Sequence, residues 1–169
     1  MKKLLLYCLF LIIGVSSVHA QQTWTSTGNG NWYDATSWTT SNGATGIPPT
    51  NLDGDDIDIV IQSGDIITLD DKLKVKNNST LNISGGGKLT INNEFKIEGS
   101  TVTTNNITLS ATKIDIKENK KTKKSSTFKA TNSSNISSSG EFKINDSDVT
   151  LDNSTVSATN KIEVKKNST

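Results

Sequence analysis

The sequence predicts an all-β fold: a single-stranded right-handed parallel β-helix, or β-solenoid, behind an aromatic-rich N-terminal cap. Three observations carry this. Pairs of apolar residues in alternation recur through most of the chain, an internal repeat joins two long stretches of it, and aliphatic residues are too few for one deep globular core.

From Asp56 onward the pairs run Ile57/Ile59/Ile61, Ile67/Leu69, Leu73/Val75, Leu81/Ile83, Leu89/Ile91 and Phe95/Ile97. They continue as Ile107/Leu109, Ile114/Ile116, Phe142/Ile144, Val149/Leu151 and Ile162/Val164. Period-two spacing sends alternate side chains to opposite faces of a strand, one inward and one outward. The joints are Asn, Gly, Ser and Asp, which turn a chain at little conformational cost. Pro48 and Pro49, the only prolines, precede this region, so none interrupts a ladder of strands. Pairs six to eight residues apart suit the short sides of a coil better than the hairpins of a sandwich.

The repeat sets the coil length. Phe95-Lys96-Ile97 returns 47 positions later as Phe142-Lys143-Ile144, and Ser100, Val102 and Thr103 return as Ser147, Val149 and Thr150. Ser110-Ala111-Thr112 matches Ser157-Ala158-Thr159. After one inserted residue, Asn160, Lys113-Ile114-Asp115-Ile116-Lys117 aligns with Lys161-Ile162-Glu163-Val164-Lys165. Such a period is two coils of about 20–25 residues, none able to bury its apolar side chains alone. Residues 56–169 then supply about five coils, a rod about 25 Å long, with Asn and Thr stacking into hydrogen-bonded ladders at the turns.

Composition narrows the chemistry. Thr, Ser and Asn number 23, 21 and 18 of the 169 residues, and the formal net charge is +1. Residues 1–20 read as a bacterial signal peptide: Lys2 and Lys3, the apolar run Leu4 to Ile13, then Val18-His19-Ala20 as a cleavage site. That run is well short of the ~20 residues that span a bilayer, and Cys8 sits inside it, too early for a lipidation cysteine. Cleavage near Ala20 sends the protein out of the cytoplasm and removes the only Met, Cys and His of a chain without Arg. What remains lacks thiol and imidazole nucleophiles, disulfides, the usual zinc ligands and the side chain that best grips phosphate. Lysines and acids are unevenly spread: residues 21–72 hold eight Asp and one Lys, whereas 73–169 hold 15 Lys and nine acids.

Residues 21–55 stand apart, with Trp24, Trp32, Tyr33 and Trp38 set among Gly, Ser, Thr and Asn. The run Thr23-Trp24-Thr25, Gly28-Asn29-Gly30-Asn31-Trp32, Asp34-Ala35-Thr36-Ser37-Trp38 resembles the opening of many bacterial secreted solenoid proteins. With Gly46-Ile47-Pro48, Asp53-Gly54-Asp55-Asp56-Ile57-Asp58-Ile59, Ser63-Gly64, Ile67-Thr68-Leu69-Asp70, Leu81-Asn82-Ile83 and Gly85-Gly86-Gly87-Lys88-Leu89, it is similar to the extracellular eight-glycine domain family. The resemblance covers residues 23–91. It implies a secreted or surface protein, adhesive or attached to polysaccharide-acting modules.

Two groups of residues are candidates for ligand contact. Trp24, Trp32, Tyr33 and Trp38 could stack on sugar rings, against the alternative that they plug the open first coil and shield its unpaired edge. Lys120, Lys121, Lys123 and Lys124 could grip an anionic glycan, against the alternative of a solvated loop. Asp53, Asp55, Asp56 and Asp58 fit a tight turn better than a calcium loop, because the last EF-hand ligand is missing. Asp55/Asp56 and Asp70/Asp71 are adjacent pairs, and neighbours on a strand face opposite ways, which is wrong for shared acid–base work. No catalytic residue, metal or cofactor is expected. The sequence therefore predicts a secreted or cell-surface structural and adhesive module that is not an enzyme. The alternative is a carbohydrate-binding module or the N-terminal fragment of a polysaccharide-acting enzyme. Expected partners are surface polysaccharide or a second copy meeting the C-terminal ladder edge, where no capping element is evident. Truncation of a longer protein would also account for that edge. Nucleic acid is not expected as a partner, and no membrane span is expected.

Overall fold

A computed structural model of the chain describes residues 21–165, and within them the protein is a parallel β-solenoid. The signal-peptide reading falls on residues 1–20, outside that range. The opening turn consists of β1 (Gln22–Ser26), β2 (Gly30–Asn31) and, after an insertion that includes β3 (Trp38–Ser41), β4 (Asn51–Asp53). Five coils follow. They are β5 (Asp56–Val60), β6 (Ile66–Leu69) and β7 (Leu73–Lys76); β8 (Thr80–Ser84) and β9 (Lys88–Glu98); and β10 (Thr101–Asn105) with β11 (Thr108–Lys117). The last two are β12 (Thr127–Thr131), β13 (Asn135–Ser138) and β14 (Glu141–Asn145), then β15 (Asp148–Leu151), β16 (Thr155–Ala158) and β17 (Lys161–Lys165).

Each coil has three sides. β5, β8, β10, β12 and β15 stack as the first face. β9 and β11 each run around a bend, so that their first halves join β6, β13 and β16 on the second face and their second halves join β7, β14 and β17 on the third. All these pairings are parallel; among the described residues the one antiparallel contact between strands is β1 with β3. The opening turn is part of the stack, because β1, β2 and β4 pair in parallel with β5, β6 and β7. The parallel stack therefore begins inside the segment whose composition suggested a separate cap.

Alternation explains the core. Register places Ile57, Leu81, Val102, Phe128 and Val149 in one inward column, and Leu73, Phe95, Ile114, Phe142 and Ile162 in another. Columns fill by complementary size: Phe128 sits between Val102 and Val149, while two residues along, the neighbouring column holds Thr104, Ala130 and Leu151. The Phe128 and Phe142 rings meet edge to face at 6.5 Å, bridging the first and third faces.

The corners are built by serine as well as asparagine. Ser79, Ser100, Ser126 and Ser147 are buried where the third face returns to the first. Ser126 Oγ donates to the Lys117 carbonyl at 2.6 Å and accepts the Ser100 N–H at 3.4 Å, and Ser147 Oγ accepts the Ser126 N–H at 3.2 Å. Each hydroxyl thus satisfies backbone groups that a tight corner leaves without strand partners. Asn77 and Asn78 take positive φ at this corner, and Asn106, Asn132 and Asn153 at the corner from the first face to the second, a conformation asparagine tolerates better than most side chains.

Candidate functional site

Outward rows give the three faces different chemistry. On the first face Asp58, Asn82, Thr103, Lys129 and Thr150 form one row. On the second, Thr68, Thr90, Ser110, Ser137 and Ser157 form a row of hydroxyls. Beside it, at the bend toward the third face, lies a shallow groove of about 460 Å³, lined largely by Ser and Thr.

The third face is charged. Of the 15 lysines in residues 21–165, 13 lie on it or on the loop that leaves it, together with all five glutamates. Lys and acid alternate from coil to coil in the row Lys72, Glu94, Lys113, Glu141, Lys161. Along it Lys72–Glu94 is 3.5 Å, Glu94–Lys113 is 2.9 Å and Glu141–Lys161 is 3.7 Å. Burial alone would raise the Glu94 carboxyl, but the hydrogen bond and charge of Lys113, then Lys72, outweigh it and hold it below the usual range. Glu98 is held low chiefly by its hydrogen bond from Lys96, which is itself raised by the same contact.

One connection breaks the regularity. Ile116 and its partner Ile144 in the next coil are 28 positions apart, whereas Ile97 and Ile116 are 19 apart. The extra length is the lysine-rich segment 118–126. Its anchor is Asn119, only 5 % exposed. Asn119 Oδ1 accepts the Lys121 and Thr122 N–H groups at 3.0 and 3.3 Å, and Nδ2 donates to Asn77 Oδ1 at 2.7 Å. That last bond passes over the intervening coil at Gly99, whose φ is +59° and where an added Cβ would lie 2.6 Å from Asn119 Cβ. Glycine is needed there for the turn and for the passage of Asn119.

The anchored loop overhangs the third face and encloses a cleft of about 660 Å³. Lys113, Lys117, Lys120, Lys123, Lys143 and Lys165 line it against Asp115, Glu118 and Asp146. Two of the acids are engaged: Asp115 lies 3.7 Å from Lys117 and is 8 % exposed, and Glu118 is 3.8 Å from Lys123. Lys120 and Lys123 thus lie in the cleft wall, while Lys121 and Lys124 are exposed outside it.

The aromatic candidates lie elsewhere, at the opposite end. Trp24, Trp32 and Trp38 are 3, 0 and 6 % exposed. Trp32 and Trp38 meet edge to face at 5.4 Å; Trp32 Nε1 donates to the Pro48 carbonyl at 2.9 Å and Trp38 Nε1 to the Trp32 carbonyl at 3.0 Å. Their faces pack inside the cap, leaving only Tyr33, 45 % exposed, with a ring open to solvent. The Asp53–Asp58 carboxylates diverge: Asp53 accepts from Asn77, Asp55 from the Asp53 N–H, Asp56 from the Thr80 N–H and Asp58 from Asn82. Among the described residues no three acidic, histidine or cysteine side chains converge as a metal site, and no helix is long and apolar enough to cross a membrane.

The lysine run was visible in the sequence, but its cleft partners were not. Their signal was the recurrence of Lys113-Ile114-Asp115-Ile116-Lys117 as Lys161-Ile162-Glu163-Val164-Lys165, which places like charges two coils apart on one face. No family model, curated protein or solved structure matches the chain.

Proposed function

We propose that this is a secreted or cell-surface structural and adhesive module of a bacterium, without catalytic activity of its own. The observation that carries the reading is the segregation of chemistry by face: two faces rich in Thr, Ser and Asn, and one face holding nine lysines in straight rows over a continuous core, with four more on the loop that leaves it. Fixed rows about 4.8 Å apart suit multivalent contact with a repetitive surface such as polysaccharide. The adjacent carboxylate pairs support a structural role. Asp70 accepts from Asn31 and Asn92, and Asp71 from the Tyr33 hydroxyl and the Lys72 N–H, so they tie turns together.

Carbohydrate binding is the second reading, favoured by the hydroxyl-lined groove and the lysine cleft, with the tryptophans kept as the cap. A second copy is the other candidate partner. Leu151, Ile162 and Val164 in the last described coil are 45, 52 and 57 % exposed, and no described strand pairs with the far edges of β15, β16 and β17.

Expressing residues 1–169 in a bacterial host tests the reading. The expected product is extracellular, begins at Gln21, and when coated on beads retains them on cells that bear surface polysaccharide. A cytoplasmic product, beads that bind no cell type, or release of reducing sugar from the polysaccharide would overturn it. For the second copy, sedimentation should show oligomers that Ile162→Lys/Val164→Lys converts to monomer; a monomeric wild-type chain contradicts that contact.

A further inference from the structure

We infer that the cleft between the 118–126 loop and the third face is a binding site for acidic polysaccharide, a polymer bearing carboxylates along its length. This rests on the adhesive reading and gives it a site and a ligand class.

Charge is the first argument. Six lysines and three acids line the cleft, and five of the lysines are engaged: Lys113 with Glu94, Lys117 with Asp115, Lys123 with Glu118, Lys143 with Glu141 and Lys165 with Glu163. Lys120 has no acidic partner among the described residues, and Lys123 keeps 78 % of its side chain in solvent despite its contact with Glu118. Lys120 and Lys123 are therefore the cleft cations that an anion can use without first breaking a buried pair.

Preorganisation is the second. A lysine run in a mobile loop loses conformational entropy on binding, but here Asn119 fixes the loop to a turn two coils away. The passage over Gly99 serves that anchor and contributes nothing to the inward columns, so the local sequence is committed to holding the overhang in place.

Periodicity is the third. Lys117, Asn145 and Lys165 occupy one row, so cationic positions recur there every second coil, about 10 Å apart. A polymer with repeated carboxylates engages several lysines at once, whereas a single uronate engages one. Nucleic acid fits less well. The sequence has no arginine, and the aromatic side chains of these coils, Phe128 and Phe142, are fully buried rather than available to stack on bases.

The test is binding to polygalacturonate at ~50 mM salt, where exposed charges are weakly screened. Fully methyl-esterified polygalacturonate, galacturonate monomer and duplex DNA are the comparison ligands. Lys120→Gln/Lys123→Gln removes two cleft charges; Lys88→Gln/Lys129→Gln removes two from the other faces and matches the change in net charge. Expected is polymer binding by the wild type that the cleft pair weakens about tenfold or more and the control pair less than about twofold. The esterified polymer and the monomer should bind far more weakly. Equal weakening by both pairs, no binding of polygalacturonate by the folded wild type, or equal affinity for DNA would overturn the inference. Running the bead assay on the same variants separates the two proposals. If cleft variants bind cells as the wild type does, the cleft fails and the adhesive reading stands. If the wild type binds the polymer but no cell, the adhesive reading fails and the cleft stands.

Discussion

The two ends of the solenoid solve the same problem differently. At the N-terminal turn, an insertion carrying Trp32 and Trp38 folds over the core, and β3 pairs antiparallel with β1, covering that edge on the first face. In the last described coil the same inward positions carry Leu151, Ile162 and Val164, and each is about half exposed. The difference teaches that an inward-pointing residue is buried by the coil beyond it, not by its own strand. Ile144 is 7 % exposed because β17 covers it; Val164, next in the same column, is 57 % exposed with no described strand beyond. Stability should therefore be graded along the rod, highest where coils or cap lie on both sides.

The largest expected effect pits the ends against each other. Trp32→Ala removes a fully buried indole and should cost about 3–5 kcal/mol, whereas Val164→Ala should change stability by less than about 0.5 kcal/mol; urea denaturation of each checks this. Equal losses would mean that the last coil is covered in solution. Next is Gly99→Ala, which combines a positive φ with a close approach to Asn119 and should cost about 1–3 kcal/mol. It should also expose the 118–126 loop to protease, and an intact loop would show that Asn119 does not hold it.

A third effect is pH-dependent and belongs to the charged face. Glu94 and Glu98 have carboxyls lowered in the folded state, so their contribution is fully present above the ordinary value of 4.5 and is lost as pH falls through the lowered one. The Lys96 ammonium is raised, so its contribution is present below 10.5 and is lost only as pH climbs past that. Melting temperature should hold through neutral pH and drop below about pH 4.5, and Glu94→Gln should blunt the drop. A pH-independent melting temperature between 3 and 6 would remove these ion pairs from the account.

The smallest effect is a gain. Thr104 is fully buried in a column of Ile59, Ile83, Ala130 and Leu151, and its hydroxyl has no partner. Thr104→Val keeps the shape and removes that orphan, and should stabilise the protein by about 1 kcal/mol in the same urea titration.

Much of the architecture was legible because the coil core keeps period two along most strands from Ile57 to Ile144, with Thr104 and Ser138 at inward positions and a register shift between Ala111 and Lys113 as departures, and the 47-residue repeat decomposes into coils of 19 and 28 residues at Phe95, Ile114 and Phe142. The opening coil was hidden because its strands bring one inward apolar residue each at most: Trp24 on β1, Leu52 on β4 and none on the Gly30–Asn31 pair. Stacked ladders were expected of Asn and Thr, but buried serines carry the corner from third to first face, since a short hydroxyl can reach a carbonyl of the strand leading into the corner and an N–H of the coil before. The lysine cleft was half legible. A run of lysines is visible in any sequence, but the contact that turns it into an overhang joins Asn119 to Asn77, 42 positions away, across a glycine that composition cannot single out.

Native-state hydrogen exchange, read strand by strand in residues 21–165, tests the graded rod most directly. Protection should be high from β5 to β11, including their cap-proximal coils, should decline through β12–β14 and should be lowest in β15–β17. Protection of β15–β17 equal to that of β8–β11, or a minimum at the tryptophan turn, would contradict it.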